Sequence, residues 1–276
     1  MAPSEGRVGT GVAGLDVMLG GGLLPGRPYL LCGDSGSGRT LLGLQFLLEG
    51  VRVGEKVLLV AVDEPAPEIL DNVRSFGWDL SKIHTLEANP GVAVFRRMGN
   101  LQEIKSMHDV KSMGEMGEKP GAAAPAEDVS LQSIYLKLKR QLDVIPFKRI
   151  LIDSMTSVRH YALRAGDDIQ TERLEIQSLL RFLSEREITT MLTARPYEVL
   201  TPEAVLCRGE IDLAREWAGH RIERWITVRR MRGTPHDSQR RPYTITSDGF
   251  IVQGTKEFVP EPVTKGGPPF QAPSPH

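Results

Sequence analysis

Short, continuous apolar runs alternate with longer segments of helical period from about residue 28 to about residue 195. Five short runs read as apolar, at 28–32, 56–62, 83–87, 149–152 and 189–193, predict strands buried on both faces. Between them, 40–51, 67–76, 131–144 and 171–186 carry apolar residues at three- and four-residue spacing. Leu41, Leu44 and Leu48 are one such set, and the spacing predicts helices with a broad buried face. Strands and helices in alternation make an α/β fold: a mostly parallel central sheet with helices on both faces. After Trp217 the texture changes. Segments 222–231 and 241–252 read as paired strands around Gly233 and Pro235, an antiparallel C-terminal extension of the sheet.

Two stretches depart from this pattern. Residues 99–130 mix Met, Gly and Lys with an Ala-Pro run at 121–126 and have no sustained period, so they predict a long, flexible insertion. From residue 255 onward Pro and Gly dominate and predict a disordered tail, which leaves 1–254 as one domain. The composition narrows the classes further. With 276 residues, 40% hydrophobic and 25% charged, the chain is an ordinary globular protein. Lys+Arg 34 against Asp+Glu 35 lacks the basic excess of a dedicated nucleic-acid binder. Cys32 and Cys207 form neither a disulfide framework nor a zinc site, and no apolar stretch is long enough to span a membrane, so a reducing cytoplasm is the expected compartment. The six histidines show no metal-ligand spacing, and Ser154 has no nucleophile elbow around it.

The strongest chemical signal follows the first predicted strand. Gly33-Asp34-Ser35-Gly36-Ser37-Gly38-Arg39-Thr40 has the spacing of a phosphate-binding P-loop and opens the first long predicted helix, with arginine where the pattern has lysine. Glycines let successive backbone N–H groups turn inward, and the helix N-terminus adds partial positive charge for phosphate oxygens. Thr40 supplies a hydroxyl for Mg²⁺. Arg39 keeps the charge of the lysine but is planar and bulkier, which predicts that nucleotide binding survives while hydrolysis slows.

Carboxylates stand at the ends of two other predicted strands. Asp63 and Glu64 close the second, where ligands of open α/β sheets collect, and either one is placed to activate water. Asp153 ends the apolar run 149–152, as a Mg²⁺-organising Walker B acid does. Farther along, Arg229, Arg230 and Arg232 concentrate positive charge before Gly233-Thr234-Pro235-His236, which reads either as a solubilising strand edge or as an arginine finger for a neighbouring subunit.

With these motifs the chain resembles the single-domain KaiC-like ATPases of the RecA superfamily, and more distantly RadA, over about residues 8–252. The resemblance also rests on Thr10-Gly11-Val12-Ala13-Gly14-Leu15-Asp16, on Leu19-Gly20-Gly21-Gly22 and Gln45-Phe46-Leu47, and on the segments 74–80 and 231–236 in the family order. It implies ATP with Mg²⁺ as ligands, wrapped by Gly36, Ser37, Gly38, Arg39, Thr40 and Leu41 together with Gly33 and Ser35 of the same loop. It implies Asp63 and Glu64 as the pair that polarises water, and Asp153 as the Walker B acid. Ser75, Thr234, His236 and Thr246 match positions around the nucleotide, and Arg230 and Arg232 match a Lys-x-Arg-Gly segment that reaches across a ring interface. A homo-oligomer, with a hexameric ring as the family's common form, is implied as well.

Arg39 for lysine, Asp63 for glutamate and Arg230 for lysine all fall on one reaction. The resulting expectation is a slow regulatory ATPase that gates assembly or signalling to a protein partner. A non-hydrolysing nucleotide sensor is the alternative reading. A RadA-type recombination accessory is disfavoured, because residues 99–130 contain no aromatic side chain to stack on bases.

Overall fold

The computed structural model describes residues 4, 6–88, 131–162, 169–197 and 201–254. The five predicted strands are β1 (Pro28–Gly33), β2 (Val57–Ala61), β3 (Ile83–Glu87), β4 (Arg149–Asp153) and β5 (Thr189–Ala194); four are buried throughout as expected, but β3 lies at the sheet edge and exposes Thr85 and Glu87. The five are continued by β6 (Gly209–Ala218), β7 (Arg221–Met231), β8 (Arg241–Thr246) and β9 (Gly249–Val252). All nine form one sheet in the order β3-β2-β4-β5-β1-β6-β7-β8-β9. Pairing is parallel from β3 through β6 and antiparallel from β6 to β9.

Alternate residues of the central strands feed two cores, which is why those runs are apolar throughout. Tyr29 and Leu31 of β1, Leu59 of β2 and Leu151 of β4 join one cluster; Leu30, Cys32, Val60 and Ile152 join the other. The first core lies under α1 (Ala13–Met18), α2 (Arg39–Arg52) and α3 (Ala66–Asn72). The second lies under α4 (Leu131–Val144), α5 (Met155–Ala162), α6 (Ile169–Glu185) and α7 (Pro202–Leu206). Both cysteines are buried and unpaired. Among the described residues no helix is long and apolar enough to cross a membrane.

Three further details differ from the sequence reading. The predicted helix 67–76 ends at Asn72 and continues only as a 3₁₀ turn, Arg74–Phe76, closed by Gly77 in the left-handed region. The run 241–252 is a hairpin, β8 and β9, because Ser247 and Asp248 turn the chain between Thr246 and Gly249. Strand β7 pairs along its length with β6, an element the sequence reading did not assign, and meets β8 only at Trp225↔Pro242 and Ile226↔Arg241. The expected insertion at 99–130 and the tail from 255 lie outside the described residues.

A buried arginine ties the N-terminal segment to the sheet. Arg149, at the start of β4, donates from Nη1 to the carbonyls of Gly9 (2.6 Å) and Phe46 (3.0 Å), pairs with Glu55 through Nε, and lies over the Phe46 ring. Each buried donor finds an acceptor, the condition under which burying a guanidinium is tolerable.

Candidate functional site

Strand β1 ends in Gly33, and the chain turns at once into α2. A side chain at Gly33 would meet Ser37 Oγ at 2.6 Å and the Leu213 carbonyl at 2.8 Å, so only glycine lets the turn close. Gly36 (φ +76°) and Gly38 (φ +92°) take left-handed conformations, and Gly38 is the N-cap of α2. The loop is braced from the C-terminal hairpin: Tyr243 donates its hydroxyl to the Ser37 carbonyl at 2.6 Å, and Ile245 Cδ1 lies against Gly38. Arg215 Nη1 of β6 holds the Ser35 carbonyl at 2.7 Å.

This loop forms one wall of a cleft of about 480 Å³ at the carboxyl ends of the parallel strands, where open α/β sheets bind ligands. Asp34, Ser35, Gly36, Gly38, Arg39, Thr40 and Leu41 line it. Across from them stand Asp63 and Glu64 after β2, Asp153 at the end of β4, and Arg195 after β5. The loop and both acidic motifs read from the sequence are thus brought together.

The hydrogen bonds assign different surroundings to the acids. Asp153 accepts from Thr40 Oγ1 at 2.7 Å through Oδ2, and from Thr193 Oγ1 through Oδ1. Burial pushes its carboxyl above the ordinary range; the Thr193 and Thr40 hydroxyls pull it back, Asp63 adds to the rise and Arg39 opposes it. Asp63 accepts from Ser154 Oγ at 2.9 and 3.1 Å. Glu64, exposed to solvent, accepts from Asn72 Nδ2 at 3.3 Å through Oε2.

Two polar atoms of the loop lack partners. Ser37 Oγ and Arg39 Nη1 are buried with no hydrogen bond. A buried unsatisfied donor is costly and calls for an acceptor, and an anion in the cradle supplies one to Arg39. The Thr40 hydroxyl beside the Asp153 carboxylate is a hard oxygen pair of the kind Mg²⁺ takes. Among the described residues no three His, Cys, Asp or Glu side chains cluster for a metal, so a cation here would depend on this pair plus phosphate and water oxygens.

The remaining residues read from the sequence stand elsewhere. Ser75 is exposed on the 3₁₀ turn, beside Phe76, which lines the cleft. Thr246 is exposed at the β8–β9 turn next to Ile245, and its hydroxyl accepts from the Asp248 amide at 3.2 Å. Thr234 is buried under Arg7 Nη2 (2.6 Å), and His236 Nδ1 lies 3.5 Å from the Thr234 carbonyl.

Arg230 and Arg232 are not brought to the cleft of their own chain. Gly33, at the loop, pairs with Leu213, whereas Arg230 pairs with Glu210 and Met231 with Gly209, at the amino end of β6. Both guanidiniums are held there by α7, Arg230 on the Ala204 carbonyl and Arg232 on the Val205 carbonyl (2.6 Å).

Sequence reasoning missed Arg195, Asn72, Thr193, Arg215 and Tyr243. For Arg195 the signal was present: it follows an apolar strand just as Asp63 and Asp153 do.

Comparison with known proteins agrees with this geometry. Residues 8–257 match the family model described as "ATPase: KaiC". The circadian clock protein KaiC2 of Synechocystis sp. is 30% identical over 249 residues, covering 88% of this chain and 39% of that protein. The circadian clock oscillator protein KaiC of Picosynechococcus sp. is 30% identical over 255 residues, covering 89% and 44%. The chain therefore spans less than half the length of these relatives. Among solved structures, the KaiC-like protein PH0186 from Pyrococcus horikoshii superposes with a TM-score of 0.68 at 24% identity, over 90% of this chain and 99% of that one, which is a likeness of fold. The P-loop, the strand-end acids, the RecA-like sheet and a family match over nearly the whole described chain agree: this chain belongs to the KaiC family of ATPases.

Proposed function

We propose that the chain binds ATP with Mg²⁺ in the β1–α2 cleft, hydrolyses it slowly in the cytoplasm, and completes the reaction site with arginines from the next copy of a homo-oligomer, so that nucleotide gates assembly or signalling. The observation that carries this reading is the polarity of the sheet. The phosphate cradle lies at the carboxyl end of β1, while Arg230 and Arg232 lie at the amino end of β6, so they can serve a nucleotide only from another molecule.

Within one cleft the roles divide by geometry. Backbone N–H groups from Gly36 to Thr40 and the start of α2 hold the phosphates, and Arg39 Nη1 gains the acceptor it lacks. Thr40 and Asp153 would hold Mg²⁺, which when bound neutralises charge on the phosphate oxygens. Ser154 anchors Asp63, whose carboxylate is one methylene shorter than glutamate's; Asn72 engages Glu64 at Oε2, leaving Oε1 to take the proton of an attacking water. Positioning and charge stabilisation, the main sources of phosphoryl-transfer catalysis, are weakened where Arg39 replaces the mobile point charge of lysine.

Light scattering with and without Mg-ATP, on the native chain and on Thr40→Ala, tests the reading. The native chain should gain mass with nucleotide and the variant should not. Unchanged mass with no bound nucleotide rejects it. Tight ATP binding with phosphate release at the buffer background selects a nucleotide-sensing scaffold instead.

A further inference from the structure

The sheet end opposite the phosphate cradle carries its own cavity. About 450 Å³ in volume, it is walled by Arg27 before β1, Arg181 and Ser184 of α6, Arg208 before β6, and Arg232 after β7. No carboxylate lines it. Arg181 is bridged to Glu185 at 2.7 Å, but Arg27, Arg208 and Arg232 make no ion pair among the described residues.

Arg208 is the side chain most in need of a ligand. Its Nε is buried without a hydrogen bond. Its Nη2 occupies the space where a side chain at residue 233 would stand, 2.6 Å from a Cβ built there, so Gly233 (φ +69°) makes room for the guanidinium. Burial pushes the Tyr29 phenol, one residue beyond the cavity wall at Pro28, up to about 12; its hydrogen bond with the Leu24 backbone and then the charges of Arg208, Arg7 and Arg27 pull against that rise. Arg232 is held in place by the Val205 carbonyl. Four like charges are thus assembled at one cavity, three of them exposed to solvent and one, Arg208, with a buried donor that has no acceptor, an arrangement that an anion would relieve.

We infer that this four-arginine cavity is a second anion site, separate from the P-loop, that takes a phosphate chain. Planar guanidinium forks pair with phosphate oxygens in bidentate fashion, and the volume admits a triphosphate. The phosphate chain has two sources: the nucleotide in a neighbouring copy's cradle, in which case the inference rests on the function proposed above, or a free polyphosphate or nucleotide, in which case it stands without that function.

Calorimetric titration of the full chain with inorganic tripolyphosphate at low salt tests it. Gly36→Asp, which puts a carboxylate in the P-loop cradle, isolates the second site. The native chain should bind at two sites per molecule and Gly36→Asp at one. Adding Arg208→Gln to that variant should weaken the remaining site at least about tenfold. Arg27→Gln, at an exposed position, should weaken it as well and serves as the second variant if Arg208→Gln melts early.

Sedimentation with Mg-ATP separates the two sources. If the ligand belongs to a neighbour, Arg208→Gln binds ATP yet fails to gain mass where the native chain does; if it is free, tripolyphosphate occupies the cavity with no change of mass. No residual binding in Gly36→Asp, or residual binding untouched by both arginine substitutions, overturns the inference. Failure of the native chain to bind ATP would instead reject the P-loop reading while leaving this titration decisive.

Discussion

Asp16→Asn should stabilise the folded chain at neutral pH, although it removes a charged hydrogen-bond acceptor. Asp16 is buried on α1, where its Oδ1 accepts from the Thr10 amide at 2.8 Å. Burial raises its carboxyl from the ordinary 3.8 to about 6; the Thr10 amide and hydroxyl pull it down, Glu49 pushes it up, and Arg149 pulls it down again. A carboxyl raised on folding makes the folded state hold the proton more tightly than the unfolded one. Stability from this group is therefore greatest below 3.8, declines as pH rises towards 6, and above 6 remains a constant penalty. The rise to about 6 corresponds to about 3 kcal/mol. Asparagine keeps an oxygen for the Thr10 amide and carries no charge to desolvate. Urea unfolding of both proteins should give equal midpoints near about pH 4 and a variant more stable by about 2 to 3 kcal/mol at about pH 8. A variant that is equally stable or weaker at the higher pH would show that the charged form's own contacts, chiefly the Thr10 amide and hydroxyl, compensate the buried charge.

Three further outcomes follow from the same geometry. Arg39→Lys should raise phosphate release by roughly tenfold, the effect of one restored transition-state contact, and a rate that is unchanged or lower counts against the assigned role of the guanidinium. Gly38→Ala puts a methyl group at φ +92° and 2.9 Å from Ile245 Cδ1, so it should lower stability by about 1 to 3 kcal/mol in a thermal melt and weaken ATP binding in the same sample. Arg149→Met strips donors from the Gly9 and Phe46 carbonyls and leaves Glu55 without its partner; chemical denaturation should show a loss of about 3 kcal/mol or more.

Much of this arrangement was legible in the chain. The strands β1, β2 and β4 stood out because their residues feed two cores at once and so run apolar along their length, whereas β3, at the sheet edge, buries only Ile83 and Leu86 and leaves Thr85 and Glu87 to solvent. Strand β6 escaped because it is a different kind of strand: Ile211 and Leu213 are buried while Asp212, Arg215 and Glu216 are polar, a two-residue alternation too short and charged to stand apart from loop. In the cleft, Gly36, Gly38, Thr40 and Asp153 could be read from strand-end position and spacing. Tyr243 and Arg215 could not, since what they grip is backbone carbonyl, which leaves no signature in the residues gripped. Nor does spacing reveal that Arg230 and Arg232 lie away from the cradle; only the antiparallel turn from β6 into β7 decides that.

The bond from Tyr243 to Ser37 spans 206 positions of the chain, and the amide of Phe250 reaches back 205 to Gln45 Oε1. The cradle motif is made some two hundred residues before the residues that brace it, which are among the last of the described fold to leave the ribosome. A nascent chain truncated before this hairpin carries the full glycine motif without its support. The nucleotide binding proposed above should accordingly begin only once this hairpin has been made and docked.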